Sequence, residues 1–196
     1  MSTTTNTEGT ITREVDGRQV PAPGTYAIDR SHSTVEFVAR HLMITKVRGR
    51  FTEFEGQIQI AENPAESSAQ VSIDTASVTT GDDGRDEHLR TADFFTSSEY
   101  PAMTFRTTGV EQAKGGDWKV NGELTIRDIT KPVTLDVEFD GAGVDPWGGT
   151  RIAFTASTDV DREDWGLTWN QALEAGGVLV GKKVRLELAV QAVRQA

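Results

Sequence analysis

A chain of 196 residues with no cysteine, 20 Lys and Arg, and 30 Asp and Glu can bury roughly 70% of its unfolded surface without disulfide or metal, and has no thiol chemistry. Its net charge of −10 opposes non-specific binding to nucleic acid or to an anionic membrane, so no nucleic-acid partner is expected. No stretch approaches 18 consecutive apolar residues, and the opening MSTTTNTEGT has neither the basic nor the apolar part of a signal peptide; the expectation is a cytoplasmic chain without an integral membrane segment.

Residues 1–10 read as a polar tail, and residues 11–20 carry a weak hairpin signal at Asp16-Gly17 before the turn-prone run Pro21 to Gly24. Residues 1–23 are therefore set apart as an N-terminal extension, and residues 24–196 as one domain. From Gly24 onward a period of two dominates. It is clearest where Val133, Leu135, Val137 and Phe139 alternate with Thr134, Asp136, Glu138 and Asp140. Strands are predicted at about 24–40, 47–60, 69–79, 101–111, 117–127, 132–141, 150–160 and 182–193, eight in all. Short breaks such as AENPAES and GAGVDPWGG suit antiparallel neighbours. Residues 81–100 and 161–178 lose the alternation and contain stretches fit for short helical turns. Eight antiparallel strands with one apolar face each close into a barrel or stack as a sandwich, and periodicity does not choose between them.

The nucleotide and protease signatures are missing: there is no GxxxxGK[ST], GxGxxG, HExxH or GxSxG. DVDREDWG begins like a calcium loop, then puts Asp164 at the sixth position where glycine is needed and Asn170 at the twelfth where glutamate is needed. The three histidines, His32, His41 and His88, are 9 and 47 residues apart and match no metal motif, so no metal and no cofactor are expected. Arg30, Arg40, Lys46, Arg48 and Arg50 face the single acid Glu36 within residues 30–50, a local charge of +4. Arginine forks there suit a phosphate or carboxylate, while pairing with acids such as Glu53, Asp86 or Asp93 is the plain alternative. The aromatic pairs Phe51 and Phe54, Phe94 and Phe95, and Trp165 and Trp169 read as core, with the two tryptophans on one side of a turn plugging a barrel end.

Four strings taken in order resemble the YceI-like family of lipocalin-like, polyisoprenoid-binding proteins: GTYAIDRSHSTVEFVARHLMITKVRGRFTEFEGQI, TGDDGRDEHLRTADFFTSSEYPAMTF, GELTIRDITKPVTL and DREDWGLTWN. The resemblance implies an all-β fold, an eight-stranded antiparallel lipocalin-like barrel with one or two short helical connections. It also implies an internal cavity for a polyisoprenoid or other long-chain lipid, bound, stored or transported without catalysis. It places the ligand head group near Arg40, His41, Arg48, Arg85, Asp86 and His88. Strand parity, with the aromatic pairs, gives a tail-lining set of Phe37, Phe51, Met103, Phe105, Leu135, Phe154, Trp165 and Trp169. Asp128 stands in TIRDIT where the family tends to have glycine. Two other readings stay open, an enzyme acting on such a lipid through His88 and Asp86, and a ligand-free interaction protein; a homodimer is also left open.

Overall fold

The computed structural model describes residues 10–174 and 176–196. Its strands are β1 (Thr12–Val15), β2 (Arg18–Pro21), β3 (Gly24–Ile28), β4 (Thr34–His41), β5 (Thr45–Phe51), β6 (Phe54–Ile60), β7 (Ser68–Asp74), β8 (Val78–Thr79), β9 (Ala102–Gln112), β10 (Trp118–Ile126), β11 (Ile129–Val144), β12 (Thr150–Asp161) and β13 (Val180–Arg194), with one helix, α1 (Asp83–Arg90). Hydrogen bonding runs β12-β11-β10-β9-β7-β6-β3-β13 and returns to β12, an antiparallel ring of eight, and β4, β5 and β8 continue the sheet from β13.

The predicted strands appear in the predicted order, but three are broken. The first is β3 and β4, separated by a 3-10 turn at Arg30–His32; β3 pairs with the end of β13 and β4 with its beginning. The second is β5 and β6, split at Thr52 and Glu53, and the third is β7 and β8, split by a 3-10 turn at Thr75–Ser77. Asp29 caps the first of these turns by accepting from Ser31 N, and Asp74 caps the last by accepting from Ala76 N. These corners turn the wall, helped by register shifts at Asn121/Gly122 and Phe139/Gly141.

Two glycines face aromatic rings inside the barrel. A Cβ on Gly49 would stand 2.2 Å from the Phe37 ring, and one on Gly122 would stand 2.4 Å from the Phe105 ring, so each ring lies on bare backbone. The larger apolar cluster, including Phe51, Phe54, Val78, Phe94, Leu124 and Trp165, sits beneath α1. A smaller one, Tyr26, Ile60, Ile152 and Ala192, closes the other end.

Residues 1–9 lie outside the described residues. Residues 11–23 belong to the folded body: Asp16-Gly17 turns β1 onto β2, and Val20, Pro21 and Ala22 are buried. Arg13 ties this hairpin to the β6–β7 turn by donating to the carbonyls of Ala61 at 2.8 Å and Glu62 at 2.5 Å. Among the described residues no helix is long and apolar enough to cross a membrane.

Candidate functional site

The inward parity of the strands leaves a cavity of about 330 Å³ along the barrel axis, within the range of small-molecule sites. Its wall is almost wholly hydrocarbon. The middle is formed by Val71, Phe105, Leu135, Phe154, Ala156 and Leu188. One end is lined by Arg13, Val20 and Pro21 of the hairpin with Trp118, and the other by Leu89, Phe94, Arg162, Trp165 and Leu167. Seven of the eight residues expected on the tail wall line it: Phe37, Phe51, Met103, Phe105, Leu135, Phe154 and Trp165.

Trp169 does not line the cavity, and the two tryptophans do not share a face. Trp165 is 2% exposed and donates from Nε1 to the Leu124 carbonyl at 2.9 Å, inside the barrel end. The left-handed Gly166 then reverses the chain, so Trp169 packs outside it, edge-on to His88 at 4.6 Å and against Phe94 at 5.4 Å.

None of the six head-group candidates lines the cavity. Arg40 is exposed on the outer parity of β4, and His41 ends that strand. Arg48 donates to Glu187 on the outer surface at 2.6 Å. Arg85 donates to the Thr80 hydroxyl at 2.7 Å. Asp86 is buried at the start of α1, where it accepts from Thr80 N and Thr80 Oγ1 at 2.7 and 2.6 Å. Burial drives the Asp86 carboxyl pKa up, but the bonds from Thr80 and Thr79 outweigh it, leaving the carboxyl below its ordinary value. His88 Nε2 lies 2.8 Å from Asp93 Oδ2, so His88 and Asp86 do not form an acid–base pair. Among the described residues no group of His, Asp and Glu is arranged to hold a metal.

Two cationic residues on the cavity wall escaped the sequence reading. Arg162, 6% exposed, donates to the carbonyls of Gly181, Leu167 and Val180 and has no carboxylate within 4.0 Å among the described residues. Burial lowers its pKa against the opposing pull of Glu163 and Asp161. Parity was the available signal, because residues 152, 154, 156, 158, 160 and 162 share one face of β12 and its continuation. Arg13 left no such signal; its Nε is buried without an acceptor in the structure.

The family described as the YceI-like domain matches residues 26–192. A UPF0312 protein of Staphylococcus aureus is 38% identical over 168 residues, covering 85% of this chain and 95% of the relative. Among solved structures, the Campylobacter jejuni YceI protein aligns with TM-score 0.68 and 30% identity over 80% of this chain and 90% of that one. BcnA of Burkholderia cenocepacia aligns with TM-score 0.73 and 24% identity over 84% and 98%. A Saccharophagus degradans domain described as polyisoprenoid-binding aligns with TM-score 0.64 and 20% identity over 87% and 98%.

Proposed function

The chain belongs to the YceI-like family, and from that premise we propose that it binds and carries a polyisoprenoid or similar long-chain lipid inside the barrel. The observation that carries this reading is the cavity of about 330 Å³, walled by hydrocarbon along the barrel axis. Burying a methylene is worth about 0.8 kcal/mol, so a chain of several methylenes offsets the cost of association with no specific polar contact. The polyisoprenoid-binding description of the Saccharophagus degradans domain supports the ligand class. Catalysis through His88 and Asp86 has less support, since both are engaged elsewhere and neither reaches the cavity.

Native mass spectrometry of protein taken from its own cells, followed by stripping and reloading with a long-chain prenol, tests the reading. A bound lipid mass, and one prenol regained per chain, are expected. Leu135→Asp, which buries an unpaired carboxylate in the wall, should abolish loading or folding, while the control Thr134→Asp on the outward parity should leave both intact. A wild-type protein that neither carries nor regains lipid overturns the reading.

A further inference from the structure

The cations of residues 30–50 do not line the cavity, yet the structure gathers part of them around an unusual hairpin tip. Between β4 and β5 the chain turns through Leu42, Met43 and Ile44, which are 38%, 53% and 78% exposed. Leu42 and Met43 both take left-handed backbone, with φ of 54° and 59°. Consecutive left-handed residues in a hairpin turn favour Asn-Gly, and bulky side chains there are strained. A strained turn that presents three large apolar side chains to water is costly on both counts, and such sites accompany function.

Charge indicates what the tip meets. Arg40 and Lys46 stand directly opposite each other one step behind it, on the outward parity of β4 and β5. Like charges facing across a sheet repel, and neither pairs with a carboxylate among the described residues. Arg50 projects from the same face, and Arg48 beside it is paired with Glu187 and Glu36. The tip is thus an apolar point with a positive collar on a protein of net charge −10. The other apolar tip, Val144 and Trp147 at 60% and 87% exposed, has no such collar, because Arg151 beside it is held by Asp145 and Asp29.

We propose that the Leu42–Ile44 tip and its Arg40–Lys46 collar dock the protein on an anionic lipid bilayer, the apolar residues entering the interface and the cations meeting lipid phosphates. The geometry joins this surface to the cavity. Ala39 and Val180 line the cavity end, His41 pairs with Val180, and Leu42 N donates to the Leu179 carbonyl at 2.8 Å. Passage of a lipid from bilayer to barrel at this end rests on the cavity reading; the docking itself does not.

Flotation of the full chain with vesicles of phosphatidylcholine, with and without phosphatidylglycerol, tests the docking. Binding to the anionic vesicles alone is expected, weakening as salt rises. Arg40→Gln with Lys46→Gln should lower it by about fivefold for each cation removed. Leu42→Asn with Met43→Gly gives the turn the residues its backbone favours, so thermal stability should rise while vesicle binding falls at least tenfold, which separates docking from folding. No flotation with anionic vesicles, equal flotation with both compositions, or undiminished flotation of either double variant overturns the proposal. Uptake of a fluorescent long-chain alcohol without vesicles is read in parallel. A chain that takes up the alcohol and ignores vesicles sinks the docking alone, and one that docks but takes up nothing sinks the cavity reading alone.

Discussion

Single atoms set the bore of this barrel. Gly49 leaves room for the Phe37 ring directly across from it, and an added methyl would stand 2.2 Å from the Phe37 Cζ. The contact is with the far end of a side chain, and the ring has an open direction, into the cavity. Gly49→Ala is therefore expected to fold with a modest loss of stability and to take long chains about fifteenfold more weakly, the equivalent of two methylenes denied burial. Urea unfolding and prenol titration of the same variant check both halves. A second residue-scale device lies outside the cavity. Asp29 accepts from Ser31 N at 3.0 Å and pairs with Arg151 at 2.6 Å, pinning the turn between β3 and β4 to β12. The hydrogen bonds from Ser31 and Arg151 outweigh burial and hold its carboxyl well below the usual range. A depressed carboxyl contributes stability above its unfolded pKa, and that contribution is lost as pH falls through the acid range toward the folded value. Asp29→Asn should cost about 1.5 to 3 kcal/mol near neutral pH, and the gap to the wild type should shrink as both are acidified, as read from urea midpoints across pH.

At the scale of elements, the connection from β12 to β13 is fastened down. Arg162 donates to the Leu167 carbonyl within it and to the Val180 and Gly181 carbonyls at the start of β13, and Asn170 both donates to Val180 O at 2.7 Å and accepts from Val180 N at 3.0 Å. Arg162→Leu removes these donors; Val180 O keeps its bond from Asn170, while the Leu167 and Gly181 carbonyls lose theirs at about 1 to 3 kcal/mol each. The expected signature is faster amide exchange confined to residues 166–181, with the distant β9–β10 pair unchanged. Exchange as slow as in the wild type would show the clamp to be redundant. The strands themselves were legible because each has one face in the cavity and one in water: Val184, Leu186, Leu188 and Val190 all reach the wall that their alternation implied. The breaks at Arg30–His32 and Thr75–Ser77 were not legible, since apolar residues continue on both sides of each corner and the sequence pattern does not register a change of pairing partner. Head-group candidates picked by charge fell outside the cavity for a related reason. Charge reports exposure, and Arg40 and Arg48 are on the outward parity of their strands. Arg162 was on the inward parity, and reading the β12 alternation two residues further would have found it.

For the whole molecule, the length of chain the cavity accepts is set by the residues at its two ends. At one end stand Arg162, Trp165 and Leu167; at the other stands the β1–β2 hairpin, which precedes the family match beginning at residue 26. Val20 is 3% exposed and lines the cavity, as do Trp118 and Ile60. In a homologous series of straight-chain alcohols, affinity should rise about fourfold per added methylene while each new group is buried, then level off once the chain spans the cavity. Val20→Trp extends the wall inward from the hairpin end and should move that plateau to shorter alcohols without altering the slope before it. A hairpin that merely rests on the outside predicts a different result, because the plateau would then stay put and the substitution would appear only as lost stability. Competition against a fluorescent prenol across the series distinguishes the two. Fluorescence gives an internal check, since Trp118 lines the cavity and should respond to filling, whereas Trp165 is already 2% exposed and has little water to lose. A plateau at the same chain length in wild type and Val20→Trp, with both proteins equally folded, would move the cavity's end away from the hairpin.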